Sequence, residues 1–149
     1  MEALEAVSAK VEGFLAELGG HFSRVEQGVF YAKRGSTVVG IHVLPAGEGE
    51  TQVLVQASVV AGAALLASPE LLVSLLEHNH GSRWGAFSVD AERRVWLRHV
   101  FRGASLTREE LLPALSEVAR AADEWDDMIV EEVGGERALD QLHRPKQEG

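Results

Sequence analysis

The order of patterned segments predicts an α+β fold with elements α-β-β-β-α-β-β-α. Three observations predict it. An amphipathic acidic segment opens the chain; two groups of β-branched and aromatic runs follow, separated by a Ser-Pro helix start; a long segment with helical spacing then runs to Gly134-Gly135. A length of 149 residues with 46% hydrophobic content suits one globular domain with a real core. We place that domain at 1–135. The segment 136–149 is polar, holds Pro145 and lacks core-forming periodicity, so it reads as a C-terminal tail with a mobile end.

In the first segment Leu4, Val7, Val11, Phe14, Leu15 and Leu18 recur at helical spacing and stop at Gly19-Gly20, a favoured helix end. His21 to Lys33 and Ser36 to Leu44 are rich in Val, Phe, Tyr, Ile and Thr and read as two strands joined at Arg34-Gly35. Gly47 to Glu50 turns into a third strand, Thr51 to Val60, completing an antiparallel meander. Ala61 to Ala67 permits a helical turn or a buried crossover and is read as a connection.

Ser68-Pro69 supplies an N-cap and a first-turn proline, predicting a helix over Pro69 to Asn79. Leu71, Leu72, Val73, Leu75 and Leu76 make it apolar around most of its circumference. Such a helix is either deeply buried or shared with a second subunit. Trp84 to Val89 and Arg94 to Phe101 form a second strand pair around Asp90 to Arg93. An odd loop would pair Phe87 and Val89 with Val95 and Leu97 and bury all four, leaving Trp84, Trp96, Arg98, Val100 and Arg102 on the other face. An even loop would set Phe87 beside Trp96. The odd register is favoured because it separates aliphatics from arginines. Thr107 and Glu110 form a capping box for the last helix, whose stripe is Leu111, Leu115, Val118, Ala122, Trp125 and Ile129. Pro113 lies inside it, at a cost of roughly 3 kcal/mol in a helix interior, so a late start or a bend is expected there.

Charge and chemistry narrow the function. The formal charge of −9 includes a block at Asp123, Glu124, Asp126, Asp127, Glu131 and Glu132, a surface that repels phosphate backbones. Nucleic acid is therefore not an expected partner. The longest apolar run, Val59 to Ala67, is too short to span a bilayer, and Met1 to Gly20 lacks the features of a secretory signal, so no membrane partner and a cytoplasmic location are expected. Cysteine is absent, which removes disulfides and thiolate metal sites. His78 and His80, with His99, would make a zinc set only if they converged; the alternative is a polar helix end. Asp123, Glu124, Asp126 and Asp127 read as a solvated face and not as a cation or acid/base site. No nucleophile elbow or phosphate loop is present, so no catalytic residue, cofactor or metal is assigned.

What remains is surface suited to another protein. Trp84, Trp96, Arg98 and Arg102, with Val100 among them, combine the residue types enriched at interface hot spots. An edge strand could also accept an extended peptide. The competing reading is that the chain's own helices cover this face.

Leu71-Leu72, Leu75-Leu76 and Asn79, then Trp84-Gly85-Ala86-Phe87-Ser88-Val89-Asp90, Val95-Trp96-Leu97-Arg98-His99, Leu106 with Glu109-Glu110-Leu111, and Ala121-Ala122-Asp123-Glu124-Trp125-Asp126 before Gly134-Gly135 resemble the YbjN family. That family shares the fold of the class I type III secretion chaperones. The likeness is sharp from Pro69 to Gly135 and architectural before it. It implies a twisted antiparallel sheet of about five strands packed with helices. It also implies homodimers that bind an unfolded client segment without nucleotide, or, for YbjN-type relatives, sensory or stress regulators. Asn79, Gly85 and Phe87 fall at family-like positions, read here as helix stop, close backbone approach and core anchor.

The expected function is thus non-enzymatic binding of another polypeptide by a chaperone-like homodimer, with a regulatory role. Leu72, Leu76 and the Trp84/Trp96 face would supply apolar contacts, and Arg98 and Arg102 would orient the partner. The second expectation is a small-ligand sensor whose pocket lies between the sheet and the C-terminal helix, gated by Trp125.

Overall fold

The structure, a computed structural model, describes residues 2–34, 37–137 and 140. Helix α1 (Glu2–Leu15) buries Val7, Val11 and Leu15, one step of four per turn, and passes into a 3₁₀ segment, Ala16–His21. Gly19 breaks that segment with φ 66°, ψ −133°, a conformation that costs a residue with a Cβ. The chain then enters β1 (Phe22–Glu26) and β2 (Val29–Arg34). The single strand expected over His21 to Lys33 is therefore two, folded back at Gln27-Gly28, where Gly28 has φ 76°. Strand β3 (Thr37–Pro45) pairs with β2 from Val29↔His42 to Arg34↔Thr37; of the expected turn Arg34-Gly35, Arg34 ends β2, while Gly35, like Ser36, lies outside the described residues.

Strand β4 (Thr51–Ala61) follows the Gly47 turn, and Ala61 to Ala67 is a crossover containing a 3₁₀ turn at Leu65–Ala67 that buries Ala63 and Leu65. Helix α2 (Pro69–Gly81) starts as its cap predicts, with the Ser68 hydroxyl accepting from the Leu71 N–H. Strands β5 (Ala86–Val89) and β6 (Val95–Arg102) pair Phe87↔Leu97 and Val89↔Val95, the odd register. Helix α3 (Arg108–Val133) opens on the Thr107/Glu110 capping box. A final strand, β7 (Glu136–Arg137), pairs with the end of β4 at Val60↔Arg137. Among the described residues the sheet has seven strands, in the order β1-β2-β3-β4-β6-β5 with β7 beside β4. The two strands beyond the expected five come from the β1/β2 split and from β7, which extends the pairing past Gly135.

Helix α3 lies across the middle of the sheet, over β4 with β3 and β6 on either side. Its Leu111, Leu115, Val118, Ala122 and Ile129 are fully buried against Ile41, Val53, Val55, Ala57, Val59 and Leu97 in one core cluster. Each such Val, Leu or Ile side chain contributes on the order of 1.5–3 kcal/mol relative to exposure, and each alanine less. The helix runs from Arg108 through Pro113. The proline's missing N–H would have paired with the Glu109 carbonyl, and both residues are exposed, so water can take that acceptor. Asp126 departs from the solvated face: it follows Ala122 by four and is buried at 1% exposure. Glu124 and Asp127 do face solvent, where they accept hydrogen bonds from Arg120 and Arg137.

Helix α2 sits at the β5 edge, with Leu71 and Leu75 inward, Leu72 half-buried, and Val73 and Leu76 exposed. It is not the deeply buried helix its composition allowed. Among the described residues no helix is long and apolar enough to cross a membrane.

Candidate interaction face

Alternation along the strands sends one set of side chains under the helices and leaves the other set on an open face. In β6 the inward set is Val95, Leu97 and Phe101; the outward set is Trp96, Arg98, Val100 and Arg102. Register places these four opposite Ser58, Gln56, Leu54 and Gln52 of β4, and places Gly40 and His42 of β3 beyond Gln56 and Leu54. Tyr31 of β2 pairs with Gly40. A Cβ on Gly40 would lie 2.8 Å from His42 Nε2 and 3.2 Å from Tyr31 Cε1, so glycine here lets two rings lean over the backbone. Those rings meet edge to face at 5.9 Å. Burial pushes the His42 imidazole below its ordinary pKa, favouring the neutral ring.

Trp96 is the best-fixed feature of this face. Its indole Nε1–H donates to Asp90 Oδ2 at 2.9 Å, and the Arg94 guanidinium lies 5.7 Å from the ring centroid. The other Asp90 oxygen accepts from the Glu92 and Arg94 backbone N–H groups at 3.0 and 2.9 Å. The loop carboxylate is therefore tied at both ends. The Trp96 N–H, then the Arg94 amide, hold the Asp90 carboxyl below its ordinary pKa. On one side of the ring lies a depression of about 350 Å³ lined by Gln56, Ser88, Val89, Asp90, Trp96 and Arg98. On the other side lies one of about 150 Å³, reached by Tyr31, Val38, Gly40 and His42. Gln56 and Trp96 line both, so the indole forms a wall between them. Arg102 pairs with Glu50 at 3.4 Å, whereas Arg98 makes no ion pair or side-chain hydrogen bond among the described residues.

The residues singled out from the sequence separate into three places. Trp96, Arg98, Val100 and Arg102 share the open face. Trp84 does not join them, because the strand starts at Ala86 and Gly85, at φ 91°, turns the preceding residue to the helix side. There Trp84 packs on His99 at 5.5 Å and Phe101 at 5.9 Å. The close approach expected at Gly85 is present: a Cβ would lie 3.3 Å from Leu97 Cδ1 and Val118 Cγ2. Leu72 and Leu76 lie on α2, away from the open face, Leu76 being 67% exposed. Val89, expected in the core, is 44% exposed because it ends the edge strand and lines the rim of the larger depression.

The imidazoles do not converge. His78 packs on Phe87 at 5.0 Å and Trp125 at 5.6 Å, while His99 Nδ1 accepts from the Gly85 N–H at 3.0 Å. Among the described residues no group of three or more His, Asp or Glu is arranged to hold a metal. Trp125, expected to gate a pocket, packs against Phe87 at 5.5 Å. Sequence reasoning missed Tyr31, His42, Gln56 and Asp90 as parts of the face. Only Asp90 carried a local signal, an acid opening a turn two residues before Glu92 and four before Arg94; the others depend on the pairing of distant strands.

The model of the family described as TY-Chap1, T3SS (YopN, CesT) and YbjN peptide-binding chaperone 1, matches residues 5–141, and the chain belongs to that family. Comparison with curated protein sequences gives no match. Among solved structures, a chain of the Yersinia pestis type III secretion chaperone SycH in complex with a stable fragment of YscM2 is similar, with a TM-score of 0.57 at 17% identity over 78% of this chain and 96% of that one. A chain of the ExsC–ExsE complex gives 0.59 at 24% identity over 82% and 95%. A chain of the heterodimeric ExoU–SpcU complex from the type III secretion system of Pseudomonas aeruginosa gives 0.50 at 14% over 83% and 97%. At these identities the likeness is one of fold.

Proposed function

We propose that this chain binds an unfolded or extended segment of another polypeptide on the open face of its sheet, without catalysing a reaction. The observation that carries the reading is Trp96: a large ring, pinned by Asp90, stands between two depressions on a sheet face. A rigid aromatic anchor beside an arginine is the residue chemistry of an interface hot spot. The family description, a peptide-binding chaperone, supports the same reading, as do the complexes in which the similar chaperones were solved. The chain acts in the cytoplasm as a homodimer in a regulatory role. Exposed Val73 and Leu76 on α2 are the apolar surface a second copy would cover.

The test uses fluorescently labelled α-lactalbumin, reduced and carboxymethylated so that it cannot fold. The wild-type chain is expected to bind this form and not the native one, and the Trp96→Ala, Arg98→Ala double variant to bind it at least about tenfold more weakly. Equal binding by the double variant would show that the face is wrong. Light scattering is expected to report a dimer for the wild type and a monomer for Leu76→Glu; a wild-type monomer across a wide concentration range removes the dimer.

A further inference from the structure

Resting on that reading, we infer that the open face selects extended segments carrying an acidic side chain two residues from an apolar one, the carboxylate on Arg98 and the apolar group against Trp96. The charge arrangement carries the inference. The chain as a whole has a formal charge of −9, yet this face carries four basic groups, and one of them, Arg98, has no ion pair among the described residues. Lys33 comes from β2, Arg98 and Arg102 from β6, and Arg94 from the hairpin loop. Of the acids nearby, Asp90 is held by the Trp96 indole and the loop amides, neutral donors that leave its charge beside the ring, Glu50 is paired with Arg102, and Glu92 is exposed in the hairpin loop. Glu26 pairs with Val29 at the far end of β1. His42, the imidazole of this face, is favoured neutral by burial.

Arg98 is thus an exposed cation with no acidic partner among the described residues, at the rim of the larger depression. A carboxylate is the group that its planar fork of donors fits best. Trp96 and Arg98 are alternate residues of one strand, roughly 6.7 Å apart along it. A segment lying extended along β6 has the same repeat, so its residues i and i+2 fall over the two side chains. A helix would match this distance with residues three or four apart, and a nucleic acid would meet the acidic surround of the whole chain.

A phage-displayed random 12-residue library, selected in parallel on the full-length wild type and on Arg98→Glu, tests this. Arg98 is exposed, so the variant is expected to fold, and circular dichroism checks that it does. The wild type should enrich peptides with Asp or Glu two positions from Leu, Ile, Val or an aromatic residue; Arg98→Glu should replace that acid with Lys or Arg. A synthetic peptide of the wild-type consensus should bind Arg98→Glu at least about tenfold more weakly. Enriched peptides with no acid preference, or the same charge preference on both proteins, overturn the assignment while leaving polypeptide binding intact. An acid spaced three or four residues from the apolar group overturns the extended geometry. Failure of either protein to enrich any peptide, or tighter binding of a dT20 oligonucleotide than of peptide, overturns the underlying reading as well.

Discussion

Asn79 holds both backbone polar groups of Phe87, its Nδ2 donating to the Phe87 carbonyl at 3.0 Å and its Oδ1 accepting from the Phe87 N–H at 2.6 Å. Phe87 lies on β5, the edge strand, and pairs on its other side with Leu97. The amide of the helix terminus thus takes the place of a further strand, closing this edge at the point where Phe87 enters the core. Asn79→Ala leaves a part-buried donor and acceptor without those bonds. It is expected to destabilise the fold by about 2 kcal/mol, measured by urea unfolding. A loss within a few tenths of a kcal/mol would mean that water replaces the clamp.

The titration of Asp90 should be read at Trp96. The carboxyl is held below its ordinary value, so its stabilising contribution is complete above the unfolded-state pKa and disappears as pH falls through the lower folded one. The Trp96 indole N–H resonance should move over that same acid range, and Asp90→Asn should shift it at neutral pH. An indole signal indifferent to both would show that the ring is held by packing alone.

His99 and His42 give a second pH dependence with its own window. Burial lowers both imidazoles from 6.5, and His99 Nδ1 must be unprotonated to accept from Gly85. The unfolded chain takes up these protons first, so stability falls as pH drops below 6.5 toward the lowered values and levels off beneath them. The melting temperature should follow that course, and a His42→Gln, His99→Gln variant should flatten it. A wild-type curve without a step below pH 6.5 contradicts the burial argument.

Gly134 and Gly135 separate two demands on glycine. Both have positive φ, 77° and 101°, but a Cβ on Gly134 meets open space, while one on Gly135 would lie 2.6 Å from Val60 Cγ1 and 2.7 Å from the Ala61 carbonyl oxygen. Gly134→Ala should cost about 1 kcal/mol of backbone strain, and Gly135→Ala about 2 kcal/mol or more, since it pushes β7 from β4. Equal losses in chemical denaturation would place both costs in backbone conformation.

Local signals carried most of the element order. Ser68-Pro69 and the Thr107/Glu110 box act within one helical turn, and both helix starts are where those residues put them. The odd loop after Val89 was also legible, because only that register gathers Phe87, Val95 and Leu97 on one side. The turn at Gln27-Gly28 was hidden because the β-branched and aromatic residues on either side of it read as one run from His21 to Lys33, and because Gln-Gly is a weak turn pair. Trp84 was misplaced because counting alternate residues assumes an extended backbone, which Gly85 interrupts. The pairing of β7 with β4, and the row from Tyr31 through Gly40 and Gln56 to Arg98, join residues far apart in the chain. Spacing within a segment holds no record of them.

The three tryptophans supply the most direct test of the open face. Trp96 lies on it, whereas Trp84 and Trp125 pack on the helix side against Phe101 and Phe87. In 15N-labelled protein titrated with reduced, carboxymethylated α-lactalbumin, the Trp96 indole resonance should shift or broaden first while the other two stay in place. Movement of Trp84 or Trp125 with Trp96 unchanged would contradict the account.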